Sequence, residues 1–434
     1  MSLLKQIRFI SLIALMIIGQ HAVAQRNSMQ YFRMPDKKGL NVFETSKADT
    51  VGFDEARVRI GGGFAMQFQS LTQQNTEGTL AELGKDFNLP TANFNIDAQL
   101  FDGVRMHMRM YMSARHHNEA WIKGGHMQID KLDFIRPGFL ENVMQYASIR
   151  IGLDEVNYGD THFRRSDNAQ ALYNPFVENF IMDAFTTEAF GEVNIQKSGF
   201  LAVVGISNGK LNQNVIKTAT TDNKPSFYGK LGYDNQLNED LRVRLTGSFY
   251  SNHGTSTGNS LYGGDRAGSR YYHVLRTVPD ANGVVQFADF DGRYNAKFNK
   301  LTAFQINPFL KFKGLEVFGV YEVADGSEDI LQNGAVVSTA GDFTQVAGEL
   351  VYRFGSQEQF YLGGRYNTIS GKQREDAASD MRINRLNVAA GWYLTRNILT
   401  KIEYVDQEYA GDAWTGRFAG AGFNGVMLEA VIGF

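Results

Sequence analysis

Chemistry in this chain has to come from a short cast of side chains. Of its 434 residues, 8 are His and 0 are Cys. Without Cys there is no disulfide framework and no thiolate metal site. His116-His117 and the pair His107 and His126 are the residues that can ligate Zn or Cu as neutral imidazoles. No carboxylate–His motif of a known scaffold accompanies them, so no metal is expected. A hydrolase needs a Ser-His pair with a third group to orient it. His107 and Ser113 share a strand face, but six residues of strand set them roughly 20 Å apart. Gly61-Gly62-Gly63 and Gly263-Gly264 lack the Lys-Ser/Thr and the following helix of a phosphate loop. They read as strand relief and loop freedom. Catalytic residues and cofactors are therefore not expected, and the working residues left are charged ones. Arg57, Arg59, Arg105, Arg109 and Arg150 recur at alternate positions, and 154–188 adds Asp160, Arg164, Arg165, Asp167 and Asp183. Walls of such charge filter ions at close quarters.

The elements that must carry these residues are strands. Val58, Ile60, Gly62, Phe64, Met66 and Phe68 fall on one face, and Arg57, Arg59, Gly61, Ala65, Gln67 and Gln69 on the other. Such alternation suits a strand between two unlike environments. It recurs from Ala92 to Leu100, turns at Asp102-Gly103, and continues with Met106, Met108, Met110 and Met112 opposite Arg105, His107, Arg109 and Tyr111. A Met stripe at period two, opposed by Arg and His, is a lipid-facing track. The same reading along the chain gives about sixteen strands, starting near Arg57, Thr91, Val104, Trp121, Val143, Ala189, Phe200, Phe227, Leu241, Thr302, Leu315, Gln345, Phe360, Arg385, Ile398 and Phe423. Composition agrees: 45 Gly, 7 Pro and 12% aromatic residues favour strands and tight turns over helices.

Short connections alternate with long ones at 71–89, 154–188, 209–225, 252–301, 324–343, 368–382 and 406–422. That asymmetry is the pattern of an outer-membrane barrel. Lumen tracks carry Arg57, Arg59, Arg105, Arg109, Arg150, Lys230, Arg242, Arg244, Lys311, Arg353, Arg365, Arg385 and Lys401 against nine carboxylates, among them Asp97, Glu192, Glu316, Glu322, Glu349, Glu403 and Glu429. The apolar tracks carry one charge, Lys123. Lys at the bilayer midplane costs roughly 2–4 kcal/mol, so Lys123 belongs near an interface or in a different register. Sixteen strands enclose an aqueous channel, so a polar, wet lumen is expected. Five arginines on strands one, three and five could face an acidic 154–188 loop across it. They could equally pair with lumen carboxylates and hold that loop in place, or simply fill polar space.

Residues 1–24 read as a signal peptide. Lys5 and Arg8 precede an apolar run, and Ala22-Val23-Ala24 suits a signal peptidase. The expected division is a signal peptide at 1–24, an N-terminal extension at 25–56 serving as tail or small plug, and a barrel at 57–434. The formal net charge of −3 implies no nucleic-acid partner.

The strand layout, the long third external loop, the final Gly425-Val426-Met427-Leu428-Glu429-Ala430-Val431-Ile432-Gly433-Phe434, and Trp392-Tyr393-Leu394-Thr395-Arg396-Asn397 leading to Glu403-Tyr404 resemble the phosphate-selective porin O and P family, in its Bacteroidota branch. The resemblance covers most of the chain after residue 24. It implies an all-β transmembrane antiparallel barrel with the third loop folded into the lumen. It also implies a homotrimer in outer-membrane lipid that passes small hydrophilic solutes or anions by passive diffusion. Phosphate-binding residues of that family have no firm counterpart in this sequence. Two rivals remain: an outer-membrane hydrolase, and a surface-binding barrel that docks a partner through residues 252–301.

Overall fold

The computed structural model describes the chain except residues 1–28, 49–50, 115–117, 165–169, 185, 221, 255–260, 264–269, 375–376 and 378. The expectations at the signal peptide, His116-His117, Arg165, Asp167 and Gly264 lie outside the described residues. Sixteen strands dominate. They are β1 (Arg57–Gln74), β2 (Asp86–Phe101), β3 (Val104–Tyr111), β4 (Trp121–Ile129), β5 (Ala147–Glu155), β6 (Thr187–Lys197), β7 (Phe200–Ser207) and β8 (Ser226–Gln236). Then follow β9 (Leu241–His253), β10 (Lys300–Phe312), β11 (Leu315–Gln332), β12 (Ala335–Phe354), β13 (Phe360–Lys372), β14 (Met381–Thr395), β15 (Ile398–Ala410) and β16 (Gly422–Gly433). Each pairs with its sequence neighbours, and β1 pairs antiparallel with β16 to close the barrel. Closure satisfies every strand edge, which a sheet in hydrocarbon requires.

Alternation appears as two surfaces. In β15, Leu399, Lys401, Glu403, Val405, Gln407 and Tyr409 are buried toward the lumen, while Ile402 and Tyr404 face outward. An aromatic belt of Phe312, Tyr352, Phe354, Phe360 and Trp392 rings one rim on the outside, with Phe354–Phe360 and Phe360–Trp392 centroids each 5.6 Å apart. Such belts mark the membrane interface. Phe434 seals the seam by exchanging backbone hydrogen bonds with Gly62 at 3.0 and 3.1 Å. A Cβ on Gly62 would sit 2.5 Å from the Asn93 carbonyl, so this position needs glycine.

Several boundaries differ from the sequence reading. β11 and β12 run on through the span expected as a long loop and turn at Asn333-Gly334, both with positive φ (52° and 80°). Asn-Gly is the dipeptide a two-residue hairpin favours, and the reading of 324–343 as a loop passed over it. β5 begins at Ala147, because Glu141–Met144 forms one helical turn. Asp154 and Glu155 close β5 and Glu188 lies in β6, so none belongs to the third loop proper. Lys123 sits at a register shift between β3 and β4, where Arg109 pairs with Gly124 and Met110 with Ile122. The bulged residue turns inward and is 2% exposed, which takes its charge off the lipid face.

The lumen is not the open wet channel expected from strand number. Described parts of the third loop (156–164 and 170–184) and of the fifth (261–263, 270–277 and 290–299) fold inside and form an apolar cluster with the barrel wall. Tyr158, Val177, Ile181, Met182, Leu261, Val274, Leu275 and Phe298 are all buried there.

Candidate functional site

Three segments occupy the lumen, and barrel side chains hold each of them. The third loop enters as an irregular backbone whose polar groups have no ladder to join. Strand side chains supply partners instead. Lys401 donates from Nζ to the carbonyls of Ala171, Asn174 and Phe176 at 3.1, 3.0 and 2.8 Å. Arg365 reaches the Glu178 carbonyl at 2.9 Å, and Arg385 the Asn179 carbonyl at 2.8 Å. Glu403 and Asn367 accept from the amides of Val177 and Ile181, each at 2.7 Å. These basic residues therefore serve the structural role weighed from sequence.

Charges on the third loop face the same far wall. Asp160 is fully buried and accepts from Lys230 Nζ at 2.8 Å, Arg244 Nε and Nη2 at 2.8 Å, and Thr246 Oγ1 at 2.7 Å. Burial alone would raise its carboxyl, but Arg244 and Lys230 hold it below the usual carboxylate range. Arg164 lies 3.3 Å from Glu349 and 3.7 Å from Glu316. Thr161 Oγ1 donates to the buried Asp183 at 3.3 Å. Asp160 thus meets Lys230 and Arg244 on β8 and β9, not the arginines of β1, β3 and β5.

The N-terminal extension is the second occupant. Residues 29–48 cross one mouth of the barrel as a strap. Gln30 bonds Asp102 at 2.8 Å, the Lys37 amide donates to Arg396 O at 2.8 Å, and Lys47 pairs with Asp130 at 3.0 Å. Mid-strap, Phe43 packs on Phe309 and Phe163, and Glu44 pairs with Arg244 at 2.8 Å and Lys230 at 3.2 Å. Burial would raise the Glu44 carboxyl; those two cations bring it down to about 2. The fifth loop is the third occupant. Tyr262 and Tyr271 donate to Glu322 and Glu403 at 2.8 Å each. These contacts turn the parts of the loop around Tyr262 and Tyr271 inward, while 278–289 stay largely exposed, with Val284 53% and Phe287 45% exposed.

Between the strap, the third loop and the β1–β6 wall remains a cavity of about 190 Å³. Its lining brings together Arg59, Arg105, Arg109 and Arg150 from the sequence-predicted set. Arg57 stands apart at the rim, where it pairs with the exposed Asp54. Arg59 lies 3.1 Å from Asp97, and Arg150 2.9 Å from Glu192. Arg105 donates to Gln128 Oε1 at 2.5 Å. Arg109 is 6% exposed and makes no direct ion pair among the described residues. Lining charges balance in number, with Arg33, Arg59, Arg105, Arg109 and Arg150 against Glu44, Asp97, Asp154, Glu155 and Glu192. Glu44, however, is already matched by Lys230 and Arg244, so the balance leans positive.

Two features were missed from sequence. Lys230 and Arg244 were placed in the lumen, but nothing linked them to Asp160. Asp97 and Asp154 each hold a histidine, with Nδ1 of His107 and of His126 at 2.6 Å from a carboxylate oxygen. The first pair was findable, since Asp97 and His107 lie about equally far from the Asp102-Gly103 turn.

This architecture is that of an outer-membrane β-barrel. The chain superposes on the outer membrane channel DcaP of Acinetobacter baumannii with TM-score 0.53, 9% identity and coverage of 88% of this chain and 98% of that one. It superposes on the anion-selective porin from Comamonas acidovorans with TM-score 0.52, 10% identity and coverage of 88% and 100%. Against Salmonella typhi OmpF the TM-score is 0.53, with 11% identity and coverage of 87% and 97%. No family model matches the chain, and no curated protein matches it.

Proposed function

We propose that this chain is an outer-membrane porin that passes small hydrophilic solutes by diffusion and prefers anions. One observation carries the reading: the cavity left inside the closed barrel is lined by Arg59, Arg105, Arg109 and Arg150. An apolar exterior with an aromatic rim supports a location in outer-membrane lipid, and residues 1–24 serve to export the chain. Residues 25–56 form a unit of their own, and 57–434 the barrel. The role is transport, not catalysis. A phosphate preference, as in the phosphate-selective porin O and P family, is the finer form of the reading.

The functional unit is a homotrimer. Supporting this, β3, β4, β5 and β7 have only 8, 9, 9 and 8 residues, at or below the roughly 9–11 that span a bilayer. At β3, β4 and β5 lies a recess of about 570 Å³ lined by the outward Met106, Met108, Ile122, Met127 and Ile151, with His107, Lys123 and His126 also at its wall. A neighbouring subunit fills such a recess better than mobile lipid chains do.

Planar-bilayer recording tests the reading. Stepwise conductance is expected, in small steps because loops fill much of the lumen, and a reversal potential in a KCl gradient should report chloride preference. Replacing Arg105 and Arg109 together by Ala should move that potential toward zero. An unchanged potential would reject the arginine wall as the filter, and absence of conductance would reject the porin.

A further inference from the structure

Residues lining the β2–β5 side of the cavity carry two kinds of buried polar atom without a partner. Nε of Arg105 and Nε of Arg109 are buried without a hydrogen-bond partner. The loop-holding arginines differ from them: Arg244, Arg365 and Arg385 each place Nε on a carboxylate or amide oxygen at 2.6–2.8 Å. A buried guanidinium short of acceptors favours an anion beside it.

His107 and His126 stand directly opposite each other in the β3–β4 register, with ring centroids 5.4 Å apart. Asp97 and Asp154 fix Nδ1 of each ring as the protonated nitrogen. The atom left on each ring is Nε2, and both Nε2 atoms are buried without a partner. In a neutral imidazole that nitrogen accepts a hydrogen bond. The wall therefore sets charged donors beside neutral acceptors. Chloride or acetate answers only the donors, and an uncharged sugar answers only the acceptors. A ligand that is both anionic and hydroxylated answers both.

Across the cavity lie Phe43, Phe163 and Tyr173, which can cover the C–H face of a ring. The volume of about 190 Å³ is below the roughly 300–1,000 Å³ of drug-sized pockets, which fits one sugar ring and not an oligomer. We propose that the cavity under the third loop is a binding site for a hydroxylated organic acid of monosaccharide size, a uronate or sugar acid, which Arg109 holds by its carboxylate and His107 and His126 by its hydroxyls, with Arg105 adding positive charge further along the same strand. This rests on the anion-preferring reading above and narrows it to a ligand class. A carboxylate-held imidazole is also how metal ligands are oriented. Arg105, Arg109 and Arg150 around the pair oppose a divalent cation, and Zn²⁺ is therefore the competing outcome.

Titration calorimetry of the purified, detergent-folded protein decides it without requiring conduction. Glucuronate, acetate, glucose and Zn²⁺ are titrated separately. Glucuronate should bind at least tenfold more tightly than acetate, with glucose giving no heat. Arg109→Gln and the double variant His107→Gln/His126→Gln should each weaken glucuronate at least tenfold, and only the His variant should bring glucuronate and acetate within threefold of each other. Heat-modifiable gel migration shows whether each variant is folded. If a variant does not fold, the native protein's preference among the four probes still stands as the test. Equal binding of glucuronate and acetate, no glucuronate binding, or Zn²⁺ binding through the His pair in place of glucuronate would overturn the site. Conductance with no glucuronate binding would sink this inference and leave the porin reading intact; binding without conductance would do the reverse.

Discussion

Individual charges in this lumen do two jobs, and their partners tell which. Asp160, Glu44, Lys230 and Arg244 form a buried group in which every charge meets an opposite one within about 3 Å, and Arg244 reaches Asp234 as well at 3.1 Å. Taking one partner from a buried group of this kind costs roughly 3–5 kcal/mol, because the others stay buried and unmatched. Its pH dependence has a definite sign. Glu44 titrates near 4.5 when free and at about 2 in place. Its contribution is full above pH 4.5 and is lost as pH falls from there through 2. The strap should therefore resist trypsin at Lys47 near neutral pH. An acid-tolerant protease such as pepsin should cut it increasingly below pH 4.5. Glu44→Gln should open the strap to trypsin at neutral pH; equal cleavage rates in variant and native protein would show that this carboxylate does not hold it.

Elements set how much of the barrel's bore stays open. The barrel sheet is regular, while residues 29–48, 156–186 and 254–299 decide how much of its interior stays open. The strap is bound chiefly through polar side chains to turns and lumen walls and takes no part in the strand pairing. Removing residues 29–48 should leave the barrel folded, with heat-modifiable migration retained, and raise single-channel conductance severalfold. Unchanged conductance would mean the strap lies beside the ion path instead of across it. Its place in the lumen was not legible in the sequence, because a polar segment of this composition suits a tail as well as a plug. What decided it was Phe43 finding Phe309, 266 residues away, and Glu44 finding Arg244, 200 residues away.

On the scale of the whole molecule, the short-strand side and its apolar recess make the barrel unequal around its circumference. The trimer reading places that side at the centre of the assembly. Ile122 faces outward there and is 69% exposed in the single chain. Arg on a lipid face costs roughly 2–4 kcal/mol at mid-depth, and at a packed subunit contact it also opposes association. Ile122→Arg should convert the trimer band on an unheated gel to monomer. The same change at Leu350, outward on β12 away from the recess, should leave the trimer in place. Loss of the trimer in both variants would argue against this face as the contact.

Sequence alone determined the closed sheet, because period-two alternation is a local property that each strand carries in its own residues. It placed Arg59, Arg105, Arg109, Arg150, Lys230, Arg244, Arg365, Arg385 and Lys401 inward by counting from one residue to the next. The count failed where one residue of bulge reversed it, at Lys123. Which inward charges meet was beyond its reach, since Asp160 lies 70 residues from Lys230 and 84 from Arg244. Only the tertiary structure decided that loops and strap fill most of the lumen, that Asp160 answers the far wall, and that Arg105 and Arg109 are left facing a cavity. The physical reason is that lumen contacts join segments whose spacing in space is fixed by barrel closure, and no local periodicity encodes that.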